Sequence, residues 1–426
     1  MMTLSSRSWS VCALALALTA ANPISAQAPD DRPPQKIEVG KMNPARLLVD
    51  EYSYMTQPYS FYYFHHIAEL GFRTDWVRKP GIVYPLKEPT AAFSVKYKFH
   101  DGEYSLDDYL QRNYVTGFLV LHDDQILFEK YLHGANQNSR FVSQSICKSI
   151  VSILVGAAVS DGKIQSLGDS VDKYLPYLKS SGYKGVTIRN ILEMSTGVSY
   201  SEDYRDPNSG AALIGAALLT GKPTFKDFAT SIKPTNTKPG TEFNYQSVNT
   251  QVLGLLLEKV TGKRLNQYAE EKLWKKIGAQ SDAFFYEAKT QPDTCAFACF
   301  NATVRDYARV ALMMMRGGTL GSNPVVPRSW VHDSTTPEAD YLRPGSMLAK
   351  GGGPLGYGYQ WWIPPGEEGV FEALGIYGQS IYVNPKMHVV IVQTSAWPEP
   401  LGGGPELAEE SAIVDQRIAH AVGSTQ

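Results

Sequence analysis

Cysteine is scarce in this chain, four residues in 426, which excludes a small fold stapled by a disulfide framework. Long apolar runs are missing as well. The stretch Val11 to Ala21 falls well short of the roughly 20 residues a spanning helix needs, and no other stretch is long and apolar enough. Like charges never form a block: 40 basic and 42 acidic residues leave a formal net charge of −2. Nothing therefore draws the chain to nucleic acid or to an anionic membrane. Neither a Gly-x-Ser-x-Gly elbow nor a His-Glu-x-x-His helix occurs, which sets aside an α/β-hydrolase and a zincin. Internal repeats and low-complexity tracts are absent too. What is there is a chain 43% hydrophobic, large enough to bury its own core, with a small neutral or mixed ligand as its expected partner.

The N-terminus stands apart. Arg7 supplies a positive start, Val11 to Ala21 a short apolar run, and Ala26-Gln27-Ala28 small residues for cleavage. Residues 1–28 read as a secretory signal, so the mature protein is expected to be secreted or periplasmic, without membrane insertion. Cys12 lies early in the apolar run without the small-residue context of a lipid anchor. Residues 29–105, rich in proline and aromatics, read as an irregular extension of the domain that follows. The adjacent His65 and His66 lack further ligands at a recognisable spacing, so no metal is expected.

From Gly117 the pattern changes. Gly117 to His122 and Gln125 to Tyr131, with Asp123-Asp124 between them, read as a hairpin. Ile146, Ile150, Val151, Ile153, Leu154, Ala157 and Ala158 recur at helical spacing up to Asp161-Gly162. Segments from about 165 to 300 are helical in spacing, among them Gln251 to Val260, which ends at Gly262. Strand patterns return at Tyr357 to Ile363, Gly378 to Val383 and His388 to Gln393, with Asn384-Pro385-Lys386 as a turn. Glu406 to Val422 reads as a closing helix. The expected fold is thus α/β of the α+β kind: an antiparallel β-sheet flanked by helices, with an inserted all-helical lobe, over residues 106–426.

Ser145-Ile146-Cys147-Lys148 places a hydroxyl and an amine three residues apart on one helix face. A lysine removed from water can be neutral enough to take the serine proton, and the helix start offers an N–H to an oxyanion. The same spacing recurs at Ser160/Lys163, Ser170/Lys173 and Ser181/Lys184, but only Ser145 immediately precedes a long apolar helix. Cys147 reads as a small buried hydrophobe. Tyr245-Gln246-Ser247, ahead of another apolar helix, offers a tyrosine whose phenolate a neighbouring cation would favour. The alternative Tyr382-Val383-Asn384 falls in a strand. Gly375-Ile376-Tyr377-Gly378-Gln379 lets backbone approach a bound carbonyl closely. Cys295 and Cys299 are a possible disulfide, closing only a small loop.

These three elements, in this order, together with Leu119 to Tyr131, Val186 to Gly197, Asn301 to Arg309 and Tyr357 to Trp362, resemble the serine β-lactamase and penicillin-binding-protein superfamily. The likeness covers roughly residues 106 to 422 and is strongest to class C-like hydrolases similar to 6-aminohexanoate-dimer hydrolase and its esterase relatives. It implies an acyl-enzyme at Ser145, proton transfer by Lys148 and Tyr245, an oxyanion hole from the N–H groups of Ser145 and Ile376, and no cofactor. It further implies substrate contacts at Tyr204, Ser247, Gly375 and Gln379. Loops at Asp206 to Gly210 and Gly351 to Pro354 would shape the cleft. Where β-lactamases carry Lys-Thr-Gly this chain has Ala373-Leu374-Gly375, and Ser247 replaces an asparagine, which points away from β-lactams toward a small ester or amide. A D-amino-acid peptidase, a weak penicillin-interactive enzyme, or a non-catalytic binder of peptidoglycan or peptide are the alternative expectations.

Overall fold

The computed structural model describes residues 53–290, 292–347, 353–366, 369–404 and 406–423. The expected export signal and Cys12 lie outside the described residues, as do residues 29–52 of the extension and Gly351 and Gly352.

The main sheet begins with β1 (Val115–His122) and β2 (Gln125–Tyr131), joined by a tight turn with Asp123 at φ 50°. It is completed from the other end of the chain by β3 (Gly356–Tyr357), β4 (Trp362–Ile363), β5 (Phe371–Gly375), β6 (Gln379–Asn384) and β7 (Val389–Ser395). All neighbours are antiparallel, in the order β3-β4-β5-β6-β7-β1-β2. The two ends of the chain therefore meet where β7 pairs with β1, Val120 opposite Ile391.

Period-two alternation between two cores explains why Phe118 to Leu121 of β1 are all apolar. Leu119 and Leu121 enter one core with Ile381, Val383, Val390 and Val392. Phe118 and Val120 enter another with Tyr382, Ile391, Val414 and Ile418. Both faces are covered there, and the buried Thr116 of the same strand is paired with the Thr394 hydroxyl at 2.9 Å. Helix α1 (Ile146–Ser160) is buried from Ile146 through Ala158. Its apolar character all round suits a central helix rather than an amphipathic one. Helix α2 (Ser247–Thr261) packs against it, α3 (Val304–Met315) packs on β7, β6 and β1, and α4 (Glu406–Gly423) closes the outer face of the sheet. Gly262, at φ 67°, ends α2 in the left-handed conformation that a β-carbon disfavours.

Three departures from the sequence reading have physical causes. Tyr357 to Ile363 forms two short strands instead of one, because the chain reverses at Gln360, φ 66°. The Gln360 carboxamide donates to the Leu192 carbonyl and accepts from Thr250, while its own carbonyl accepts from Ser149. The segment 165–300 is helical only as far as the turns that precede Ala283. Ala283–Tyr286 is a strand, consistent with its aromatic run, in a second sheet with Thr74–Val77, Phe300–Ala302 and Phe141–Val142. The extension accordingly supplies an edge strand, with Thr74 opposite Tyr286. Finally, Phe371–Gly375 is a strand whose pattern the sequence reading passed over.

Candidate active site

The second sheet aims the nucleophile candidate. Phe141–Val142 pairs with Asn301 and Ala302, and the Ser143 N–H donates to the Phe300 carbonyl at 2.8 Å. Gln144 then takes φ 45°, a left-handed backbone rare for a residue with a β-carbon. This reversal delivers Ser145 to the start of α1 with only 9% of its surface exposed.

Lys148, one turn along α1 and 1% exposed, places Nζ 2.8 Å from Ser145 Oγ and donates to the Phe297 carbonyl at 2.9 Å. Burial lowers its pKa to about 8, against the opposing pull of the Glu202 carboxylate. As an ammonium it donates to Ser145 Oγ. As a neutral amine it has a lone pair to accept the serine proton across the same contact. The Phe297 carbonyl belongs to a loop bridged by Cys295 and Cys299. Cys147 donates to the Ala296 carbonyl of that loop, and burial pushes its thiol up to about 12, an inert state for a nucleophile.

Tyr245 faces this pair, its ring centroid 5.1 Å from Lys148 Nζ. It is stacked on Trp362 at 5.4 Å and meets Tyr357 edge-on. The neighbouring Gln246 fixes it by donating to the Val198 carbonyl and accepting from Thr196. Burial opposes the phenolate that a neighbouring cation was expected to favour. Burial, then the Glu202 carboxylate, raises its pKa, with the Ser145 hydroxyl pulling weakly the other way.

Gly375 lies against the nucleophile turn so closely that a β-carbon there would fall 2.7 Å from the Ser143 carbonyl oxygen. Ile376 follows it and lines the same cavity as Ser145, Tyr204 and Tyr245, a space of about 620 Å³. Gln379 also borders it, but its carboxamide donates to the carbonyls of Ser395 and Tyr377, so this side chain braces the β6–β7 edge. Tyr204 lines the cavity too, whereas Ser247 is not among its lining residues, and both bond a residue the sequence reading did not select. Glu202 accepts from Ser247 Oγ at 2.5 Å, from the Ser247 N–H at 2.8 Å and from Tyr204 at 2.9 Å. A carboxylate two residues before a candidate tyrosine was the only sequence signal for it. Elsewhere, His65 packs near Tyr62, His66 and Phe141, and burial lowers its pKa to about 3. No grouping of metal-ligating side chains exists among the described residues.

The lining of the cavity carries Glu202, Glu242, Glu372, Glu409 and Asp415, and no lysine or arginine among the described residues.

An antiparallel sheet and a helical lobe enclosing serine, lysine and tyrosine in one cleft make the architecture of a serine hydrolase. The chain belongs to the beta-lactamase family, whose sequence profile matches residues 110–416. It is 31% identical over 306 residues to the 6-aminohexanoate-dimer hydrolase of Paenarthrobacter ureafaciens, covering 69% of this chain and 76% of that one. A solved structure provisionally assigned as a 6-aminohexanoate-dimer hydrolase from Bacillus anthracis is 25% identical and covers 90% of this chain and 99% of its own, with a TM-score of 0.77. A family VIII carboxylesterase shares the fold at 18% identity and a TM-score of 0.55, over 73% of this chain and 96% of its own.

Proposed function

We propose that the protein is an exported hydrolase that cleaves small ester or amide bonds through an acyl-enzyme at Ser145. The observation that carries this reading is the 2.8 Å contact between Ser145 Oγ and a buried lysine whose pKa is lowered to about 8. Neutral Lys148 takes the Ser145 proton as Oγ bonds to the substrate carbonyl carbon. The oxyanion faces the N–H groups of Ser145 and Ile376, neither of which bonds another described residue. The proton then passes from Lys148 through the Tyr245 phenol to the leaving oxygen or nitrogen as its bond to carbon breaks. Water attacks the acyl-enzyme, giving up a proton by the reverse path and releasing Ser145.

The substrate is neutral or cationic, since four glutamates and no lysine or arginine line the cavity among the described residues, and burial favours the neutral form of Asp415. A D-amino-acid peptidase or penicillin-interactive enzyme would need a cation for the substrate carboxylate. Export is supported by the pattern of residues 1–28 and by the Cys295–Cys299 bridge, which suits an oxidising compartment. Stopped-flow hydrolysis of p-nitrophenyl butyrate tests the mechanism. A nitrophenol burst is expected from the native protein and none from Ser145→Ala. Equal turnover by both proteins would remove Ser145 as the nucleophile.

A further inference from the structure

Glu202 has an environment that a bracing residue alone would not require. It sits in the loop between the 187–192 turn of helix and the 210–220 helix, and it lines the same cavity as Ser145 and Tyr245. Its oxygens take three donors: the Ser247 hydroxyl, the Ser247 N–H that opens α2, and the Tyr204 hydroxyl. Every contact donates, the pattern an ionised carboxylate accepts, and a negative charge at the first turn of a 15-residue helix is favoured by the helix dipole. No arginine or lysine forms an ion pair with it among the described residues. The cationic form of Lys148 is therefore the charge it acts upon inside the cleft.

We propose that Glu202 is a positioning residue that holds Tyr204 and the start of α2 beside Tyr245 and supplies the counter-charge for Lys148 once that amine has taken the serine proton. The proposal rests on the acyl-enzyme reading above. In the resting site Lys148 is neutral when it acts and the oxyanion has not formed. As Oγ bonds to carbon, its proton moves to Nζ, and a buried ammonium appears within the field of the Glu202 carboxylate. Attraction between them stabilises that state. The proton leaves again through Tyr245, so Glu202 gains and loses nothing.

The groups that face one another are few. Around Lys148 they are Ser145, Cys147, Tyr245, Glu202 and the Phe297 carbonyl. Around Glu202 they are Ser247, Lys148 and the phenols of Tyr200, Tyr204, Tyr245 and Tyr357. The carboxylate favours protonated Lys148 and disfavours every phenolate. Removing its charge lowers the Lys148 pKa, so the acidic limb of the rate profile moves to lower pH although the enzyme is slower.

The experiment is the pH profile of acylation with p-nitrophenyl butyrate for the mature protein, Glu202→Gln and Glu202→Asp. In Glu202→Gln kcat is expected to fall about 10–100-fold with little change in KM, and the acidic limb to shift to lower pH. Glu202→Asp keeps the charge and is expected to keep the native limb at reduced kcat. A native limb in Glu202→Gln, or identical behaviour of the two variants, would overturn the proposal and leave Glu202 a brace. Should Glu202→Gln lose its near-ultraviolet circular dichroism, Ser247→Ala carries the test by loosening the carboxylate. A lowered limb there supports the proposal, and an unmoved limb overturns it. Ser145→Ala runs alongside: full turnover in that variant would topple the acyl-enzyme reading itself, whichever way the Glu202 variants behave.

Discussion

At Lys148 stability and chemistry pull in opposite directions. The side chain is 1% exposed, and the desolvation that makes it a base near neutral pH also makes its charged form costly in the fold. Acylation should therefore rise with pH through about 8 as Lys148 loses its proton, which a stopped-flow pH series would show. In the unfolded chain the same lysine keeps its proton to about 10.4. Between those values the unfolded state binds more protons, so stability rises with pH across this window and the cost is felt fully below pH 8. Replacing Lys148 with methionine should abolish acylation and raise stability at pH 7 by about 1–3 kcal/mol. Urea titrations at pH 7 and pH 10 check this, because the gain should shrink at the higher pH. A variant less stable than the native protein at both values would show that the hydrogen bonds to Ser145 and Phe297 outweigh desolvation.

Among the elements, the five-residue loop closed by Cys295 and Cys299 has a larger part than its length implies. A bridge between residues four apart removes little freedom from the unfolded chain. Yet the loop presents the Phe297 carbonyl to Lys148 and the Ala296 carbonyl to Cys147, and Gln251 of α2 accepts from the Ala296 N–H and donates to Thr294. The bridge thus fixes an acceptor of the Lys148 amine. In the double variant Cys295→Ala/Cys299→Ala, kcat for p-nitrophenyl butyrate is expected to fall about tenfold, some 1.4 kcal/mol, with only a small change in the urea midpoint. Loss of stability without loss of kcat would confine the bridge to a structural role.

On the scale of the whole molecule, the cleft lies where segments from distant parts of the sequence converge. α1 contributes Ser145 and Lys148, the lobe contributes Glu202, Tyr204 and Tyr245, and the β5–β6 connection contributes Gly375 and Ile376. Four glutamates, Glu202, Glu242, Glu372 and Glu409, line it, while burial favours the neutral form of Asp415. Such a field discriminates among substrates before any contact with the reacting bond. Three p-nitrophenyl esters of equal chain length, ending in an ammonium, a methyl or a carboxylate group, should be hydrolysed in that order of kcat/KM. The first is expected to exceed the last at least about tenfold at low salt and by less at high salt. Preference for the carboxylate ester would contradict the charge argument.

Much of this was legible locally. The hairpin at Asp123-Asp124, the helix closed at Asp161-Gly162, the strands around Asn384-Pro385-Lys386 and the apolar helix after Ser145 follow from periodicity and turn chemistry, which are properties of neighbouring residues. So does the pairing of Ser145 with Lys148, because helical spacing alone sets it. The sequence by itself determined those elements and the family. Only the tertiary structure decided that Glu202 bonds Ser247 and Tyr204, that burial disfavours the Tyr245 phenolate, that Gln379 is spent on backbone, and that Phe371–Gly375 and Thr74–Val77 are strands. Each of these depends on burial and on partners far along the chain, and long-range contacts leave no periodic mark in the residues that make them.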